Sequence, residues 1–530
     1  MKTLTGIFVL LITTSLFGQI PQEGKQAAQT ITGQEIKAHI RFLANDALLG
    51  RSPGTPGYKA AAAYMASQME LTGLKPGGDE NSYYQQVKLE TTTPKHSGSL
   101  IIKQGKEEHS MDYGKDFSLI NNPIGKIGFS GDIVFGGFGI EAAKFGMKDL
   151  SSVDVKDKLV IVISRLSDEV PFEINLKYGR GNDRYRDLKK RGAKGAIVYI
   201  KPERQEGIPL ERYIAYWSGT KRGIPEAGLD DFPIIFANWN TINKLFESKN
   251  YKVADYLEGK KTTAKFKLKA TAELKLDLDY DKETIETPNV IGVLEGSDPQ
   301  LKNEYVVYTA HLDHVGVGKP VEGDSIYNGA YDNASGSSIL LEMAEAYTSM
   351  DPAPKRSIMF IALTAEEMGL LGSEYFVNFP TVPLESIVAN FNTDMFLMEK
   401  GIDPVVALGK EYSEIGDYVK EVCDYMKVST ISDPLPEERI YTRSDHYNFA
   451  KKGIPALFLI NDYIKPEEEG GQGNVNFVWL NSIYHSPLDN FKENADYASG
   501  VKYAQINFLT GYMVAQKEER VKWTIDFPID

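Results

Sequence analysis

Four apolar runs, at residues 305–310, 357–363, 387–392 and 456–460, constrain this chain more than any other feature. Each has the length of a buried strand, and the first three run into ionisable side chains: His311 and Asp313, Glu366 and Glu367, and Asp394. Between the first two runs, Ile339, Leu340, Met343, Ala344 and Tyr347 recur at helical spacing and mark one buried face. Strands that alternate with amphipathic helices predict an α/β fold with a mixed, largely parallel central sheet flanked by helices. In open sheets of this kind ligand sites form at the carboxyl ends of the strands, where these charges lie.

A chain of 530 residues exceeds the roughly 100–200 residues of one domain, so more than one folded unit is expected. Residues 34–42 and 57–72 show helical periodicity on either side of the loop Leu49-Gly50-Arg51-Ser52-Pro53-Gly54. From about Gly125 the pattern changes to short β-like runs at 132–135 and 159–164, a polar helix ending in Lys190-Arg191-Gly192, and a strand at 195–200. A fresh strand starts at Thr287-Pro288-Asn289-Val290. These signals predict a main domain over 20–121 and 271–530, interrupted by a smaller β-rich α/β insertion at 122–270.

Lys2, the apolar run at 7–12 and the small and polar residues up to Gly18 read as a secretory signal over 1–19. The run falls short of the about 20 residues that span a bilayer, so a secreted or periplasmic protein with no membrane anchor after signal cleavage is expected. A formal charge of -14 argues against nucleic acid as a partner, because phosphate binding needs clustered Lys and Arg. The single cysteine, Cys423, allows no internal disulfide, and its amphipathic surroundings at 418–426 predict a buried thiol rather than a nucleophile. The sequence carries no signal for an oligomeric state.

Each charged residue at the strand ends has a plain structural role open to it. Asp332 could cap the helix that comes after it, Glu366 and Glu367 could form a solvated pair, and His311 could be a satisfied histidine. Together they differ, since like charges gathered at one sheet edge repel unless a cation or proton neutralises them. Imidazole and carboxylate donors without thiolate suit zinc, and manganese or cobalt fits the same set. A second ion needs a fifth ligand, and among the seven histidines His485, in Tyr484-His485-Ser486, is the best-placed supplier. His39, His96 and His109 lie outside the sheet region and are expected to be exposed.

Thr309-Ala310-His311-Leu312-Asp313-His314, Gly329-Ala330-Tyr331-Asp332-Asn333-Ala334-Ser335-Gly336, Thr364-Ala365-Glu366-Glu367-Met368-Gly369, Asn392-Thr393-Asp394 and Tyr484-His485-Ser486 resemble, in this order, the motifs of the two-zinc aminopeptidases. That family also includes glutamate carboxypeptidase II, the glutaminyl cyclases and the inactive transferrin receptor ectodomain. In the insertion, Asp154-Val155-Lys156-Asp157-Lys158-Leu159-Val160 and Gly192-Ala193-Lys194-Gly195-Ala196 resemble a protease-associated domain.

The resemblance implies that His311 and Asp394 hold one zinc ion, that Glu367 and His485 hold a second, and that Asp332 bridges both. It further implies Glu366 as general base, Asp313 as the group that orients the His311 imidazole, and a cis peptide after Asp332. In the matching segment Arg443-Ser444-Asp445-His446-Tyr447, either His446 or the nearby Tyr441 would steady an oxyanion, or His446 would pack beneath the site. Arg443 could hold a substrate carboxylate, His314 is expected to pack beside His311, and Tyr463, Phe477 and Trp479 could wall a pocket. The activity implied is that of a zinc-dependent exopeptidase acting on peptides, an aminopeptidase first. Carboxypeptidase or dipeptidase action, glutaminyl cyclase chemistry and a receptor-like module without catalysis are the alternatives.

Overall fold

The computed structural model describes residues 20–526 apart from 165, 167–169, 201–208, 225–228, 248–267, 399–400, 435, 437–438, 462–478 and 481. The signal-like segment 1–19 and two of the pocket candidates, Tyr463 and Phe477, lie outside the described residues.

The apolar runs are strands of one sheet. Tyr305–His311 pairs in parallel with Ser357–Leu363 on one side and Ile387–Asn392 on the other, and Ile387–Asn392 pairs in parallel with Ala456–Asn461. Antiparallel strands flank this parallel centre: Tyr280–Leu294 and then Tyr84–Pro94 beyond Ser357–Leu363, and Val405–Leu408 beside Ala456–Asn461. Alternate residues of Tyr305–His311 enter two different cores. Val306, Tyr308 and Ala310 pack with the helices Ser335–Thr348 and Tyr497–Gln516, whereas Val307 packs with Phe376 and Phe449 on the opposite face. Burial on both faces explains why these strands read as continuous apolar runs instead of alternating ones.

Ahead of the sheet, the helices Gly33–Leu43 and Pro56–Leu71 form where helical periodicity predicts them, each capped by a threonine oxygen, Thr32 and Thr55. Cys423 lies in the helix Ile415–Met426 and is buried, and that burial pushes its thiol up to about 12, a state unsuited to nucleophilic attack. Among the described residues no helix is long and apolar enough to cross a membrane.

A second sheet, in the order Glu107–Asp112, Ser97–Gln104, Ala270–Leu278, Gly125–Phe135, Leu159–Ile163, Gly195–Tyr199, Ile234–Ala237 and Phe117–Leu119, packs around its own core. It departs from the expected interval of 122–270 at both ends. Residues 97–119 belong to it because Leu100, Ile102, Phe117 and Leu119 join its core, and Ala270–Leu278 lies between Ser97–Gln104 and Gly125–Phe135. Conversely Lys221–Gly223, inside the expected interval, pairs with Tyr84–Pro94 as an edge strand of the first sheet. The histidines expected to be exposed are partly buried: His39 contacts the Tyr64 hydroxyl (2.8 Å), and His96 packs edge-on to Tyr113 and Tyr280.

Candidate metal centre

Three parallel strands and two turns deliver the predicted donors to one point. His311 ends its strand, Glu366 and Glu367 come after Ser357–Leu363, and Asp394 comes after Ile387–Asn392. Asp332 sits in the turn before Ser335–Thr348, and its peptide bond to Asn333 is cis. His311 Nε2 lies 3.1 Å from Asp394 Oδ1 and 3.2 Å from Asp332 Oδ1. On the other side of Asp332, His485 Nε2 lies 3.2 Å from its Oδ2 and 2.9 Å from Glu367 Oε2. Two donor groups result, His311 with Asp332 and Asp394, and His314 with Asp332, Glu367 and His485, so that Asp332 belongs to both. Asp332 Oδ2 and His485 Nε2 are buried and close, yet neither forms a hydrogen bond among the described residues. Donor atoms that converge without bonding one another fit a cation between them.

The electrostatics agree with this fit. Burial alone would lower the His311 pKa, but Asp394 and Asp332 outweigh it and hold the imidazole well above its ordinary value. His485 is likewise raised to about 10, because Asp332 and Glu367 overcome its desolvation. The carboxylates thus demand positive charge, which protons supply in the absence of metal. Burial, reinforced by Asp394 and Glu367, holds the Glu366 carboxyl well above the usual range.

Several supporting residues had no role assigned from the sequence. Asp489 accepts the backbone N–H groups of Tyr331 (2.9 Å) and Asp332 (3.0 Å) and so fixes the turn that carries Asp332. Ser444 donates to Asp394 Oδ2 (2.6 Å) and accepts from Asn392 (2.7 Å). Asp445, buried nearby, accepts from the Ser373 hydroxyl (2.5 Å), and burial pushes its pKa up to about 7. Arg51 is fully buried and donates to the carbonyls of Leu43, Leu312, Asn328 and Gly329, tying the N-terminal loop to the segments just after His311 and just before Asp332. Asp332 does not cap the next helix; the Asn333 Oδ1 instead accepts the Gly336 N–H in its first turn (2.9 Å).

The structure moves Asp313, His314 and Tyr441 away from their expected roles and gives His446 the packing role, one of its two alternatives. The Asp313 carboxylate stands 3.9 Å from His311 Nδ1, which meets the Asp313 backbone carbonyl instead (3.1 Å). Its oxygens accept the N–H groups of Glu366 (3.1 Å) and Glu367 (3.3 Å), so Asp313 shapes the glutamate turn. His314 does more than pack, because its Nδ1 lies 2.7 Å from Glu367 Oε1. His446 is sandwiched between Tyr441 and Phe458, with ring centroids at 4.6 and 4.9 Å, and burial pushes its pKa down to about 3. The Tyr441 hydroxyl donates to the Ala456 carbonyl (3.2 Å), and neither His446 nor Tyr441 lines the pocket at the donor cluster.

That pocket, of about 110 Å³, has His311, Asp332, Glu366 and Asp394 on one wall and Met395, Leu397, Ile440, Phe458, Trp479 and Leu480 around the rest, with Arg443 also in its lining. Its volume is several times the about 30 Å³ of one water yet well below the about 300–1,000 Å³ of drug-sized sites, which suits a single side chain.

Residues 289–509 match the family described as Peptidase family M28. Similar proteins include aminopeptidase YwaD of Bacillus subtilis, 28% identical over 251 residues (44% of this chain, 46% of the relative). A probable leucine aminopeptidase 2 of Aspergillus fumigatus is 31% identical over 236 residues (42% of each chain). Leupeptin-inactivating enzyme 1 of Streptomyces exfoliatus is 29% identical over 278 residues (52% of this chain, 57% of the relative). The chain therefore spans about half the length of the curated relatives it matches. Among solved structures, an aminopeptidase from Aneurinibacillus sp. strain AM-1 is 20% identical with a TM-score of 0.48, covering 96% of this chain and 100% of that one.

Proposed function

We propose that the chain is an exported two-zinc aminopeptidase that removes apolar residues from the free N-termini of peptides. The observation that carries this reading is the pair of donor groups sharing Asp332, set beside a pocket with apolar walls. His311 and Asp394 would hold one zinc ion, Glu367 and His485 the other, and Asp332 both, with manganese or cobalt able to use the same donors. Bound there, the ions would polarise a scissile carbonyl and acidify a water.

Glu366 supplies the proton chemistry. It lines the pocket beside the donor cluster and pairs with no cation among the described residues, so it is free to take a proton from water and pass it to the departing amine. His314 steadies Glu367, Ser444 steadies Asp394, and Asp313 keeps the two glutamates on their separate headings. The apolar pocket wall would take the side chain of the residue being removed. Export rests on the signal-like residues 1–19, and the second sheet is the counterpart of the protease-associated domain that the sequence resembles.

The test is a panel of Leu-, Met-, Phe-, Asp- and Lys-initiated peptides with N-acetylated controls. The expected result is a kcat/KM at least about tenfold higher for the apolar N-termini, the scale on which an apolar pocket discriminates, with no turnover of acetylated peptides. Release of C-terminal residues from acetylated peptides would overturn the direction of attack.

A further inference from the structure

A second, open groove of about 1400 Å³ lies between the two sheets and reaches the metal centre, where Glu367 forms part of its wall. It exceeds the about 300–1,000 Å³ that enclose drug-sized ligands. Ile124, Tyr216 and Phe379, which are 52%, 71% and 62% exposed, line it, so large apolar side chains face solvent inside a concave surface. Glu366 lines the small pocket and its neighbour Glu367 lines the groove, so adjacent residues of one turn border the two cavities.

Lys221, at the start of the edge strand Lys221–Gly223, belongs to the groove wall. Its ammonium donates to the carbonyls of Leu119 (2.5 Å) and Asn121 (3.4 Å), lies 6.0 Å from the Trp217 ring, and meets no carboxylate among the described residues. Burial pushes its pKa down to about 8, with no acidic neighbour among the described residues to offset the shift. The nearby Lys282 is already paired, 3.3 Å from Glu90. A largely buried ammonium served only by neutral acceptors retains a charge that a ligand carboxylate would satisfy.

We propose that this groove holds the part of a peptide substrate downstream of the scissile bond, and that Lys221 pairs with a carboxylate there. The carboxylate is either the free C-terminus of a short peptide or an acidic side chain of a longer one. This assignment rests on the aminopeptidase reading and adds a preference to it, in which the small pocket selects the residue removed and the groove selects the downstream residues.

The test compares kcat/KM for Leu-initiated short peptides with free-acid and amidated C-termini, and for amidated longer peptides with one internal Glu or Gln. Leu-p-nitroanilide, which has no downstream peptide, is the control. In wild type, free acid over amide, or Glu over Gln, is expected to exceed one by about tenfold, the scale of one charge-assisted hydrogen bond, and the pair that shows it identifies the source of the carboxylate. Lys221→Met should bring that ratio near one and Lys221→Arg should keep it, both with unchanged metal content and unchanged turnover of Leu-p-nitroanilide. Both wild-type ratios near one, which need no variant to measure, would overturn the assignment, as would an unaltered ratio in Lys221→Met. Failure of metal-loaded wild type to hydrolyse Leu-p-nitroanilide would overturn the aminopeptidase reading itself, and this assignment with it.

Discussion

Glu366 and Glu367 are chain neighbours with different surroundings. Glu367 meets His314 and His485 at 2.7 and 2.9 Å, whereas Glu366 forms no ion pair among the described residues and turns to the pocket. The Asp313 carboxylate, which accepts both of their N–H groups, fixes the turn that makes this division. Glu366→Gln keeps shape and volume but can neither take nor return a proton. It is expected to lower kcat by about 10²–10⁴-fold, the usual contribution of general acid–base catalysis, while metal content stays at the wild-type value. Metal analysis beside steady-state kinetics checks this. If the variant loses metal along with activity, Glu366 is a ligand and the division is wrong.

Between elements, two buried polar side chains tie the N-terminal segments to the loops at the strand ends and to the helix Ser335–Thr348. Arg51 supplies the fork that satisfies four carbonyls from three segments of chain. Arg51→Met fills similar space but leaves those acceptors without their donor. Since each buried unsatisfied group costs about 1–3 kcal/mol, a loss of at least about 3 kcal/mol is expected, read as a lower Tm by calorimetry, and Lys at this position should not restore the fork. A Tm within error of wild type would show that the clamp is dispensable.

Glu342, buried on the helix Ser335–Thr348, accepts the Thr32 N–H (3.1 Å) from the start of the first long helix. Burial, with Glu35 and Glu345 adding to it, raises its pKa from 4.5 to about 8. The folded state thus binds the proton more tightly than the unfolded chain. The associated stability is complete below about pH 4.5 and is lost as pH rises through about 8. Glu342→Gln should therefore gain Tm relative to wild type between pH 5 and pH 9, and a Tm difference independent of pH would contradict the assignment.

At the scale of the whole molecule, the donors were legible because sequence-local constraints mark them. His311, Glu367 and Asp394 come at or after largely apolar, fully buried strands, and Asp332 sits in a turn whose glycines are sterically required. Gly329 has φ +59°, and a Cβ there would lie 2.2 Å from the Asp332 carbonyl oxygen. A Cβ on Gly336 would meet Asn333 Oδ1 at 2.2 Å and the Thr393 carbonyl oxygen at 2.5 Å. Arg51 and Asp489 were not legible as parts of the site, because the groups they bind are more than 150 residues away in the chain for all but one contact. The limits of the second sheet were hidden for a related reason. Alternating burial along Ala270–Leu278 shows that a strand has one buried face but not which sheet receives it.

The same view explains why metal and fold should be coupled. Asp313, Asp332, Glu366, Glu367, Asp394, Asp445 and Asp489 lie at or around one centre, where Arg51, His311 and His485 are the nearby groups that favour positive charge. Metal content, Tm and turnover of Leu-p-nitroanilide, measured before chelation, after it and after zinc is restored, test the central claim most directly. About two zinc ions per chain, a lower Tm with loss of turnover on chelation, and recovery of both on zinc addition are predicted. A chain that keeps its Tm and its turnover after complete metal removal, or that turns over no aminoacyl substrate when zinc-loaded, would contradict it.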